Sequence, residues 1–325
     1  MPSKSHDLTG VDIVKFMMSF AVIAIHCRGT REWPSEIGWV LGAAVPFYFI
    51  TSGYLLGRKI ENDNISEHQQ RCMLRERSFR FFRIYAYWLI VYLPLAIYSY
   101  IADGIVWWKA IAEYAYKIFF SGHSNGAYQL WFVYSMACVF MIYSFISLSK
   151  KKLWMLMAIF ASVSVINSCY KSFDLKQFEL FWLLTHSTLG GGFCITVGVL
   201  ISRYIHKFNI LLAIIGCLAI SIVLKNYDIS YFELFGGIGF FLLALCVMPK
   251  SNKIFLKMRR LSMWIYYLHM IVVFSTMQFL SYHDCQLSLL TIFTIDSLLS
   301  LVMAIVVDYV QQNVPFFRPL GNLIK

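Results

Sequence analysis

Apolar runs long enough to cross a hydrocarbon layer of about 30 Å recur along almost the whole chain. Ten such segments can be read, at 10–28, 38–56, 84–101, 128–148, 153–169, 179–202, 208–224, 231–248, 261–280 and 287–310. A lipid environment leaves a single-chain spanning element little choice but the helix, because every backbone polar group must be satisfied internally. The pattern therefore predicts an all-α, polytopic membrane protein with about ten transmembrane helices. Little chain is left over, so 1–325 is expected to form a single transmembrane domain with no separate soluble domain. The first segment is followed by CRGTREWPSE, which lacks the small-residue pattern of a cleavage site, and it is expected to persist as a helix.

Composition strengthens this reading. Hydrophobic residues make up 59% of the chain and charged residues only 14%, far from the balance of a soluble globular protein. Lysine and arginine are retained on the cytoplasmic side of a bilayer. Ten spans with an internal N-terminus put 21 of the 28 basic residues inside and seven outside, those seven being Arg28, Arg31, Lys109, Lys117, Lys171, Lys176 and Lys225. Both termini are accordingly expected in the cytoplasm. The net charge of +11 is then a matter of topology, and no nucleic-acid partner is expected. The eight cysteines are scattered without CxxC or Cys/His spacing, so no metal site is expected. Cys27, Cys169 and Cys285 lie near the outer ends of their segments, and whether two of them pair is left open.

The first segment, GVDIVKFMMSFAVIAIHC, carries the most informative pair. Lys15 and His26 are eleven residues apart, which on a helix leaves them roughly 20° apart in azimuth and about 16 Å apart along the axis. They share a face, with a cation near one membrane surface and an imidazole near the other. Ionisable groups in a spanning helix mark pathways or reaction sites, although interfacial anchoring explains the two residues equally well. Asp12, three residues before Lys15, is positioned for a local ion pair. The longest hydrophilic stretch, 57–83, leads into the third segment with Arg77, Arg80 and Arg83. Their three-residue spacing keeps the guanidinium groups along one drifting face, suited to phosphate or anionic headgroups.

Several local patterns taken together resemble the membrane acyltransferase-3 family. The spacing of Lys15 and His26 matches its R-x10-H signature, with lysine in place of arginine. VPFYFITSGYLLGRK at 45–59 is similar to its F-x-x-SGY-L segment, and RSFRFFRIYAYWL at 77–89 to its arginine-rich approach to the third helix. QLWFVYSMA at 129–137 and SMWIYYLHMIVV at 262–273 resemble its LWF-Y and IYL-H segments. These patterns span the chain in the family's order. Lysine has a point charge without the planar fork of arginine, so the substitution at position 15 preserves function only where charge alone is required.

The resemblance implies a multi-pass enzyme of the inner or plasma membrane that moves an acyl group, chiefly acetyl, from cytoplasmic acyl-CoA to an exported acceptor. A cell-surface glycan or its lipid-linked precursor is the expected acceptor, reached directly or through a separate partner that takes over the acyl group, and membrane lipids are a further partner. No cofactor is held permanently, and acyl-CoA is a co-substrate. Lys15, Arg80 and Arg83 would hold the CoA phosphates, and the pantetheine arm would run toward His26. That histidine would be the catalytic group, as general base or as covalent acyl carrier, and the sequence leaves both roles open. Asp12, Ser52, Trp131 and His269 are supporting candidates. Small residues at Ser52-Gly53 and Gly190–Gly192 suit either close helix packing or room for the arm, and His186 is a weaker candidate. The aromatic 102–127 region suits either sugar recognition or interfacial anchoring. The competing class is a transporter or flippase, for which midplane acids are the mark; Asp296 and Asp308 are the main cases here. A regulatory or assembly partner would need no reactive residue.

Overall fold

The computed structural model describes residues 8–29, 31–62, 65–146, 148–172, 189–226, 232–247, 249–250 and 252–314. Among them secondary structure is helical throughout, with no strand. In chain order the α-helices are α1 (Thr9–Cys27), α2 (Ser35–Gly42), α3 (Ala44–Asn62), α4 (Glu67–Ala102), α5 (Trp107–Tyr116), α6 (Trp131–Ile146), α7 (Lys150–Ser172), α8 (Gly190–Tyr204), α9 (Ile210–Asn226), α10 (Phe232–Cys246), α11 (Lys253–Tyr282) and α12 (Leu289–Asn313). Six stretches among the described residues are long and apolar enough to cross a bilayer: Thr9–Cys27, Ser35–Glu61, Glu67–Ala102, Tyr128–Ile146, Lys253–Tyr282 and Leu289–Asn313. The apolar helices α9 and α10 are shorter. The expected segment at 179–202 falls partly outside the described residues, as does His186.

The chain divides into two compact units, one holding the described residues of Met1–Thr51 and Ile205–Arg318, the other those of Ser52–Tyr204. In the first unit α1 is central. It packs on α11, α10, α12 and α2, while α9 packs on α10 and α11 on α12. The approach to α10 is close because position 10 is glycine. A Cβ there would meet the Val247 carbonyl oxygen at 1.9 Å, so any larger residue would force the two elements apart.

In the second unit α4 packs on α6, α6 on α8, and α7 on α8. The start of α4 is set by a reciprocal cap: Ser66 Oγ accepts from the Gln69 amide, and the Gln69 side chain accepts from the Ser66 amide. Its buried residues, Leu74, Ser78, Ile84, Tyr85, Trp88, Tyr92, Ala96 and Tyr100, which from Tyr85 onward recur every three or four positions, define the face turned to the unit's interior. Ser78 Oγ donates to the Ala137 carbonyl at 2.7 Å, tying that face to α6.

Candidate functional site

The candidate residues of the first unit are laid out by α1 and α11. Near the start of α1, Asp12 is 4% exposed. Its carboxylate accepts two hydrogen bonds from Arg259 of α11, from Nε at 2.8 Å and from Nη2 at 2.6 Å. This forked geometry is the strong form of a carboxylate–guanidinium contact. The anticipated pairing of Asp12 with Lys15 is thus replaced by a pairing across helices, because the guanidinium fork satisfies both carboxylate oxygens. Lys15, one turn further on, is half-buried and senses both charges through space, Asp12 attractively and Arg259 repulsively. Its backbone carbonyl accepts from Tyr48 Oη at 2.6 Å, which anchors α3 to this turn of α1. Two cations around one carboxylate leave this end of the helix pair with a net positive charge.

At the other end of α1 stands His26, half-buried, with its ring centroid 5.3 Å from that of His269 on α11. Because Asp12 meets Arg259 at one end and His26 meets His269 at the other, α1 and α11 run parallel. His269 is fully buried. Its Nδ1 lies 3.0 Å from the Ile265 carbonyl oxygen and 2.9 Å from that of Tyr266. Carbonyls only accept, so Nδ1 carries the proton and Nε2 presents a lone pair. That Nε2 is buried and has no hydrogen-bond partner among the described residues. The result is an imidazole of fixed tautomer beside a second imidazole.

Two further acids lie in this unit. Asp308 on α12 is held by Arg260, with Nε to Oδ1 at 3.0 Å, and by Gln312 at 2.7 Å. Asp296, also on α12, is fully buried, and neither carboxylate oxygen has a hydrogen-bond partner. Cys27 is within its electrostatic reach, and Thr276 approaches without closing a hydrogen bond.

Arg80 and Arg83 belong to the second unit. Arg77 and Arg80 flank the buried face of α4 and are half-buried, whereas Arg83 is exposed. Among the described residues the buried Arg80 Nε has no hydrogen-bond partner, so this guanidinium retains unused donor capacity toward them. Ser52 on α3 is half-buried beside Gly53, where a Cβ would sit 2.0 Å from the Ile195 carbonyl oxygen of α8; the small pair serves close helix packing. Trp131 opens α6 and stacks on His123, with centroids 6.2 Å apart and planes inclined by 15°. Trp107 and Trp108 are exposed. Cys27 and Cys285 are free thiols.

The sequence reading missed Arg259, which it counted only as a topological charge. The signal was present in RRLSMWIYYLH: Arg259 lies ten residues before His269, close to the eleven-residue step from Lys15 to His26.

Apolar helices that keep acids, cations and imidazoles within their packing are the build of a multi-pass membrane protein with intramembrane chemistry. A family model described as an acyltransferase domain matches residues 8–309. The chain belongs to this acyltransferase-3 family and is an acyltransferase. No curated protein and no solved structure matches it.

Proposed function

We propose that this membrane enzyme is an O-acetyltransferase that carries an acetyl group from cytoplasmic acetyl-CoA to a hydroxyl of an exported acceptor, a surface glycan or its lipid-linked precursor. The reading includes ten spans, both termini in the cytoplasm and residence in the inner or plasma membrane. The observation that carries it is the parallel pair α1 and α11, positive at one end and bearing two imidazoles at the other. CoA phosphates cannot enter hydrocarbon and would stay with cations such as Lys15 and Arg259 of the first unit; Arg80 and Arg83, in the second unit, are candidates of the same chemistry in their own right. The pantetheine arm is thin enough to follow the helix, and the rise of about 16 Å from Lys15 to His26 is comparable with its extended length.

In the chemical step His26 accepts the proton of the acceptor hydroxyl as that oxygen attacks the thioester carbonyl. The tetrahedral adduct collapses with cleavage of the carbon–sulfur bond, and His26 returns its proton to the departing thiolate. Imidazole can both take up and return a proton, which suits both transfers. The Nε2 lone pair of His269 supplies a second acceptor, able to hold the imidazolium of His26 or the incoming hydroxyl in place.

The test uses inverted membrane vesicles with labelled acetyl-CoA and a broad glycan and lipid extract. Label should move to an extractable acceptor with the wild type and remain on CoA with His26→Ala, while CoA still raises the thermal midpoint of the variant. Turnover by the variant near the wild-type rate would remove His26 from the mechanism. A single-turnover experiment without acceptor should leave no label on the protein, whereas stable labelling lost in the variant would establish a covalent acyl-histidine route instead.

A further inference from the structure

Two residues beyond His26, the chain leaves α1 and lines a cavity of about 260 Å³ whose walls include Arg28, Arg31, Met277, Ser281 and Asp284. At roughly 30 Å³ per water molecule this is room for a tetrahedral oxyanion with part of its carrier. Both walls are built turns. On one side Gly29 takes a φ of 57°, a conformation that a side chain would strain, and the Arg31 amide donates to the Arg28 carbonyl at 2.9 Å. On the other side Asp284 has a φ of 48°, and the Cys285 amide donates to the Leu280 carbonyl at 3.0 Å. Arg31 donates from Nη1 to the Leu287 carbonyl, which joins the two walls and leaves the rest of its fork unused. The Arg28 side chain makes no hydrogen bond or salt bridge among the described residues.

The electrostatic balance favours an anion. Helices α1 and α11 end here and α12 begins here, which at about half a charge per terminus amounts to roughly −0.5. Asp284 adds one negative charge and the two arginines supply two positive ones, so the cavity stays positive. Two guanidinium forks on fixed turns match the oxygens of a phosphate better than they match solvent.

We propose that this cavity is a binding subsite for a phosphate ester, at the same end of α1 as His26. The phosphate has two sources of the same chemistry, the acyl acceptor itself or the headgroup of a neighbouring phospholipid. The first deepens the acetyl-transfer reading and rests on it: an acceptor anchored by its phosphate at Arg28 and Arg31 would be held at the end of α1 that carries the imidazole.

The experiment measures binding, so it stands apart from turnover. Full-length protein in neutral detergent is titrated with glucose 1-phosphate, with glucose, and with short-chain phosphatidylglycerol, following the thermal midpoint. Glucose 1-phosphate should raise the midpoint saturably, glucose should not, and Arg28→Ala or Arg31→Ala should weaken the effect roughly tenfold, as loss of one charge-assisted contact does. Saturation by phosphatidylglycerol that glucose 1-phosphate fails to displace assigns the site to lipid headgroups and overturns the acceptor source. Equal responses of wild type and both variants to every ligand overturn the subsite altogether. If the arginines only complement helix termini, the variants melt earlier yet bind as before, which also overturns it. Loss of transfer in His26→Ala with phosphate binding intact separates this inference from the catalytic reading.

Discussion

The three buried aspartates among the described residues of the first unit divide by their partners, and that division fixes what each substitution should do. Asp12 is forked by Arg259 and Asp308 is held by Arg260 and Gln312. Removing Arg259 would take both hydrogen bonds from a buried carboxylate and leave it only the through-space attraction of Lys15, a change worth about 3 kcal/mol at the low end of the range for buried pairs, since the arginine side chain is 45% exposed. Arg259→Ala should therefore lower the thermal midpoint by several degrees and weaken CoA binding. Among the described residues neither carboxylate oxygen of Asp296 has a hydrogen-bond partner. Its isosteric neutral variant Asp296→Asn should melt no earlier than the wild type, because an unpaired buried carboxylate stabilises nothing by being ionised. A clear loss of midpoint in Asp296→Asn would mean that the carboxylate has a partner in the folded membrane protein. For Arg80, half-buried with an unused Nε, replacement by lysine should weaken CoA more than a pantetheine thioester lacking the nucleotide, as expected where a fork rather than a charge is required. Equal losses for both donors would assign Arg80 to the fold.

Helices reveal how far the sequence could be read. The shared face of Lys15 and His26 follows from 3.6-residue periodicity alone, and α1 ends within a residue of the apolar run that announced it. Small residues at Ser52-Gly53 were legible as such, yet only the α8 backbone decides between packing and vacant space. Gly53→Val should accordingly destabilise the second unit, since backbone rather than a flexible side chain blocks the new methyls. A wild-type melting curve for that variant would contradict the α3–α8 contact. Arg259 was hidden for a different reason. Its partner Asp12 is 247 residues away, a separation at which no local periodicity operates. His269 was recognisable by resemblance, but its tautomer depends on where the Ile265 and Tyr266 carbonyls point. Ser124, in the polar connection before α6, is fully buried with Oγ turned to the Asn125 carbonyl, a burial that no periodicity announces.

At the scale of the molecule, the proposed topology is tested by thiol labelling at exposed positions. Cys72 and Cys285 are native, exposed and free, and Asp103 is an exposed position in the 102–127 region. In variants that retain one cysteine each, Cys285 and Asp103→Cys should react with an impermeant reagent in intact cells, and Cys72 only after the membrane is opened. The reverse pattern would place the arginines of α4 away from cytoplasmic CoA and end the trans-bilayer scheme. The parallel pairing of α1 with α11 also bears on how the protein is made. A ribosome adding about 5–20 residues per second needs roughly 10–50 s to travel from Asp12 to Arg259. During that interval the first helix sits in the bilayer with a carboxylate and an ammonium whose interhelical counterpart has yet to be synthesised. Nascent chains stalled before Arg259 should be favoured substrates for membrane chaperones and proteases, and full-length Arg259→Ala should share their short lifetime.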